Sequence, residues 1–91
     1  MTEPVEPQHG VSARHQIEAL LADLAQTAPA PPDPLARAQL SGLLTTLCLL
    51  QAADLPPDAG RRLSLLRKAR SHARTTTVLT AYLLNESTFR R

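Results

Sequence analysis

Three histidines, one cysteine and eight carboxylates are the side chains of this sequence best suited to chemistry. Their spacing argues against it. His9, His15 and His72 lie far apart, with no cysteine or carboxylate at ligand spacing, so no metal site is expected. Cys48 is alone in an apolar run. That excludes an internal disulfide and reads as a small buried hydrophobe. Gly10, Gly42 and Gly60 form no glycine-rich phosphate loop. Ser, His and Asp are all present, but no strand–turn–helix elbow presents a nucleophile. The acids fall at helix starts and on outward faces, not as an inward pair. No catalytic residue, cofactor or small-molecule substrate is expected, and the chain reads as non-enzymatic.

Charge is the second candidate. Arg61, Arg62, Arg67, Lys68, Arg70 and Arg74 lie within fourteen residues, with His72 beside them and no acid between. Residues 1–60 carry seven acids against two bases, so the chain is lopsided although its net charge is only +2. A basic helix face can contact phosphates, and Arg67, Lys68, Arg70 and Arg74 are the residues placed to do so. Three features oppose that reading. Leu63, Leu65, Leu66 and Ala69 are interleaved with the bases, no aromatic stands among them to stack on a base, and the preceding turn, LPPDAG, is too long and Pro-rich for a helix-turn-helix. The plainer alternative is a solvated face, or one that meets the acidic first helix or an acidic partner.

The elements that would position these groups are helices. The chain is organised around Leu35 to Ala53, LARAQLSGLLTTLCLLQAA, which carries no charge from Ala38 onward. Asp33 can cap this helix and Pro34 suits its first position. Ala36, Leu40, Leu43, Leu44, Leu47 and Leu50 share one face and are the expected core. Cys48, Leu49, Ala38, Ala52 and Ala53 lie elsewhere on the wheel. A helix apolar nearly all round is a buried one, covered by neighbours. The run falls short of the roughly 20 apolar residues that a membrane span needs.

Before it, Ser12 is a plausible cap for an amphipathic helix ending near Thr27. Ala13, Ile17, Leu20, Leu21, Leu24 and Ala28 form its inner face, and Arg14, Glu18 and Asp23 point away. The segment APAPPDP then stops one helix and stiffens the joint before the next. After the central helix, Pro56 and Pro57 end it, and Asp58 can cap a third helix. The expected inner face of that helix is Leu65, Leu66, Ala69, Ala73, Thr76, Thr77, Thr80, Leu83 and Leu84. Its small middle residues are where leucines of helix 2 are expected to insert.

The expected fold is all-α: a small three-helix bundle with helices at about 12–27, 34–53 and 58–85. The N-terminal residues 1–11 are expected to be disordered, 12–86 to form a single domain, and 87–91 to be a frayed tail. No apolar secretory segment stands at the N-terminus, which favours the cytoplasm. Seventeen leucines and only two aromatics, Tyr82 and Phe89, make a loosely specified core. Pairing with itself or with another protein would help such a chain fold.

Helix 3 is expected to be about 40 Å long against about 30 Å for helix 2. In an antiparallel hairpin its last two turns overhang. Val78, Leu79, Tyr82 and Leu83 there are apolar around the helix and form the expected protein interface. The overhang is to be covered by helix 1 or by another chain. Thr75-Thr76-Thr77 offers an alternative, since three β-branched residues weaken a helix and one could cap a separate short helix from Val78 to Phe89. The continuous helix is the expectation carried forward.

In outline, the hairpin from Leu40 to Leu84 resembles the small helical co-chaperones of bacterial type III secretion needle proteins, in which two helices joined by a short loop pair with a larger chaperone subunit. The resemblance lies in length and apolar spacing, covers no helix 1, and transfers no residue roles. The expected function is a non-catalytic protein-interaction module: an adaptor, assembly factor, inhibitor or co-chaperone, acting on itself or on a partner protein. A small nucleic-acid-binding regulator, using the basic face of helix 3, is the alternative.

Overall fold

A computed structural model describes residues 9–27 and 30–89. It contains α1 (His9–Thr27), α2 (Pro34–Ala53) and α3 (Gly60–Phe89), and no strand among the described residues. The all-α, three-helix architecture is the one expected. Residues 1–8, 90 and 91, where disorder and fraying were expected, lie outside the described residues.

Local chemistry accounts for most of the boundaries. The Asp33 carboxylate accepts the Ala36 N–H at 2.9 Å, and Pro34 opens α2, so this cap stands as expected. The end of α2 is closed by two backbone bonds, from the Asp54 N–H to the Gln51 carbonyl at 3.2 Å and from the Leu55 N–H to the Ala52 carbonyl at 3.1 Å. Two expected caps are not used. α1 begins at His9, which leaves Ser12 inside the helix; no proline stands between Pro7 and Pro29 to interrupt it. Asp58 does not cap α3: the Arg62 and Leu63 N–H groups both bond to the Ala59 carbonyl, and the helix starts on backbone bonds alone. At its far end α3 runs through Phe89, so residues 87–89 are helix rather than tail.

α3 is unbroken through Thr75-Thr76-Thr77. Each threonine hydroxyl donates to the carbonyl four residues earlier: Thr75 to Ser71, Thr76 to His72 and Thr77 to Ala73, at 3.2, 3.0 and 3.0 Å. Side chains engaged in this way are not free to cap a new helix.

α2 is the centre. It packs antiparallel on α3 on one side and on α1 on the other, while no Cα of α1 comes within 8 Å of one in α3. The buried positions of the α2–α3 seam follow helical spacing: Ser41, Cys48 and Ala52 on α2, with Leu65, Ala69 and Leu79 on α3. Ser41 and Thr76 touch hydroxyl to hydroxyl at 2.7 Å, and at the other end the Arg62 guanidinium donates to the Leu55 carbonyl at 3.4 Å. Between them, Cys48, Ala52, Leu65 and Ala69 form the buried cluster, with Leu55 packed against it.

The small residues are what bring α2 and α3 together, and this corrects the expected core. The leucine stripe of α2 (Leu40, Leu43, Leu44, Leu47 and Leu50) is only half-buried. It turns toward α1, where Leu43 shares a crevice with Leu20 and Leu24. The middle of α3 receives Ser41 and Gly42 of α2, not leucines. The inner face of α3 is also rotated from the expected one. Leu79 is buried at 8 % exposure, whereas Leu66, Thr77, Thr80 and Leu84 face outward.

On α1, Leu20 is exposed rather than inward, and Ala28 lies outside the described residues. Arg14, expected to point away, is half-buried and pairs with Asp54 at 3.0 Å. This ion pair ties the start of α1 to the end of α2. With α1 and α3 on separate sides of α2, the bundle is open. Its radius of gyration is 16.4 Å, against about 12 Å for a compact chain of this length, and among the described residues no large side chain is fully buried.

Candidate interaction surface

The far end of α3 is the first candidate. The Ser41–Thr76 contact and the Arg62–Leu55 bond set an antiparallel register in which Pro34, the first residue of α2, lies opposite the turn of Leu83. The helix from Leu84 to Phe89 therefore runs past the start of α2. α1 does not reach α3, so it does not cover this end. Of the four expected interface residues, Val78 and Tyr82 are exposed, at 62 % and 52 %. Leu83 is half-buried. Leu79 is corrected: it is buried, at 8 % exposure, and belongs to the core rather than to the outward face. Leu84, which the sequence reading placed inward, is 65 % exposed and joins the apolar end on its other side.

The basic residues lie beside it. Arg67, Lys68, Arg70 and Arg74 are all exposed. Arg67, Arg70 and Arg74 line a shallow depression with Ser71, while Lys68 is turned to a different side of the helix. Among the described residues none of the four makes an ion pair or a side-chain hydrogen bond, whereas Arg14 pairs with Asp54. Arg62, counted with them in the sequence, is bound to the Leu55 carbonyl instead.

A third feature was not foreseen. A crevice of about 770 Å³ opens between α1 and α2, bordered by Leu20, Leu24, Leu35 and Leu43 with Asp23 and Asp33 at its edge. The signal for it was Leu35, an apolar residue in the first turn of α2 that lies off the leucine stripe.

Chemistry has little to work with. Among the described residues no group of His, Cys, Asp and Glu could hold a metal ion. Cys48 is a buried free thiol, as expected. No helix among the described residues is long and apolar enough to cross a membrane.

No protein-family model, curated protein or solved structure matches the chain. The outline resemblance to secretion co-chaperones thus gains no support from them.

Proposed function

We propose that this chain is a non-catalytic helical interaction module that binds a partner protein, or a second copy of itself, through the projecting end of α3. An adaptor, assembly factor, inhibitor or co-chaperone would act in this way, and a reducing, cytoplasmic setting suits its single buried thiol. One observation carries the reading. Val78 and Tyr82 stand exposed on the turns of α3 beside the start of α2, Leu84 stands exposed where α3 outruns it, and α1 does not reach any of them. Apolar groups gathered on a projecting helix end are what association buries.

The test is the molar mass of the full chain by size-exclusion chromatography with light scattering, at several concentrations, with far-UV circular dichroism on the same samples. A helical oligomer that Tyr82→Glu returns to monomer supports a self-interface. A poorly ordered or aggregating chain is the result expected if a hetero-partner is missing. A well-folded monomer whose stability is insensitive to Tyr82→Glu and which binds no protein partner would count against the reading.

The unpaired arginine stripe favours a second reading, a small nucleic-acid-binding regulator. It requires affinity for duplex or single strands that falls steeply with salt. No binding at low salt would remove it.

A further inference from the structure

Arg74 borders two depressions at once. One is shared with Arg67, Arg70 and Ser71, the other with Arg37, Thr75, Val78 and Leu79. The basic stripe and the apolar end of α3 are therefore a single surface. At ~3.6 residues per turn, Arg67, Arg70, Arg74, Val78 and Tyr82 fall within about a third of the helix circumference, on the side away from Leu65 and Ala69. All five are exposed. From Arg67 to Tyr82 the surface is about 22 Å long, or roughly four turns of helix. Arg37, projecting from α2 beside Arg74, adds a further positive charge at its middle.

The charge on this surface has no counterpart within the fold. α3 has no acid between Gly60 and Asn85, and Glu86 is its only one. We propose that the surface docks an acidic amphipathic helix of a partner protein. The helix lies along α3 with apolar side chains over Val78 and Tyr82 and carboxylates on Arg67, Arg70, Arg74 and Arg37. This rests on the interaction reading above and specifies the chemistry of the partner.

Three arguments select this occupant. A guanidinium presents a planar fork that matches a carboxylate, and arginines at i, i+3 and i+7 meet carboxylates repeated at helical spacing on a facing helix. A phosphodiester backbone has nothing apolar to place over Val78, and Tyr82 is a single aromatic at the end of the stripe where successive bases would need several to stack on. A second copy fits poorly. An antiparallel α3–α3 pair over these four turns would set Arg74 beside its own copy. The exposed acids of α1, Glu18 and Asp23, are five residues apart and do not share a face.

The experiment is a selection of displayed helical peptides, about four turns long, on the immobilised full chain. The Arg70→Ser/Arg74→Ser and Val78→Ser/Tyr82→Ser double variants serve as parallel targets, each first shown to keep its helicity by circular dichroism. Peptides with an apolar pair at one end and Asp or Glu along the rest are expected. A selected peptide, labelled with fluorescein, should bind Arg70→Ser/Arg74→Ser at least about tenfold more weakly and lose affinity as salt rises. Recovery of apolar peptides without acid enrichment would overturn the inference and leave the interaction reading standing. Equal recovery on Val78→Ser/Tyr82→Ser, or no recovery on the native chain, would overturn both. Tighter binding to a short DNA duplex or to phosphatidylserine vesicles than to any selected peptide would also overturn it, and would assign the stripe to phosphates.

Discussion

Single residues in this protein make contacts whose worth can be ranked. The Arg14–Asp54 pair is partly exposed on both sides, at 35 % and 52 %, so solvent screens most of its attraction. Arg14 also holds its Nε buried without a hydrogen-bond partner, which costs some of what the ion pair contributes. Arg14→Met keeps the apolar stem and removes both terms. Urea denaturation should find its stability within about 1 kcal/mol of the native chain; a loss well beyond that would mean the pair anchors α1. Gly42 is the opposite case. It lies inside α2, where a Cβ would meet Thr76 Cγ2 at 4.0 Å, an ordinary van der Waals distance. Gly42→Ala should therefore stabilise the chain by about 0.5–1 kcal/mol through the lost freedom of the unfolded backbone. A destabilised Gly42→Ala protein would show that α2 and α3 pack more closely than this. Next to it, Ser41 is only 5 % exposed, and its hydroxyl touches that of Thr76. Ser41→Ala should cost about 1 kcal/mol, because Thr76 keeps its bond to the His72 carbonyl and is not left unsatisfied.

Among the elements, α3 has two jobs on two faces. Its seam residues hold it to α2, and its outward residues are free. Adjacent positions should then respond differently to the same change. Leu79→Ala removes a buried side chain and should cost about 2 kcal/mol or more, lowering the thermal midpoint. Val78→Ala, one residue earlier at 62 % exposure, should leave the midpoint of the isolated chain nearly unchanged. Thermal melts of the two variants read this contrast directly. Equal losses would place Val78 inside a packed interface of the native state, as a self-associating chain would. The same logic separates the leucines of α2. Leu49 is exposed at 47 % and stands on neither packed side, so it too is a surface position.

At the scale of the whole molecule, the open arrangement limits stability. α2 is clasped from two sides, but α1 and α3 never close on each other. Only two leucines, Leu65 and Leu79, are buried to less than a tenth of their surface. A core so shallow should leave the isolated chain near or below the lower end of the usual range, about 5 kcal/mol. Anything that binds the folded form then raises its apparent stability by mass action. If α3 pairs with a second copy, the thermal midpoint should climb with protein concentration. If the partner is another protein, the midpoint should be concentration-independent alone and rise only when that partner is added.

Three helices, the uncharged centre, the Asp33–Pro34 start of α2 and an α3 longer than α2 could all be read along the chain, although the part that overhangs is Leu84 to Phe89 and not the turns of Val78 to Leu83. They depend on local rules: proline and capping chemistry, apolar periodicity and helix length. Which face of each helix goes inward could not. Leucine spacing alone marked Leu40, Leu43 and Leu47 as the core of α2, yet the deepest contact runs through Ser41, Cys48 and Ala52. Backbones that approach closely need small side chains between them, and a leucine stripe that lacks a second closing helix stays half-exposed. The same rotation carried Leu79 from the expected interface into the seam and left Leu84 outside. It also joined Arg74 to Val78, two features that the sequence presents as separate. Charge and hydrophobicity are properties of residues, but their adjacency on a surface exists only once the tertiary packing has chosen which side of α3 remains free.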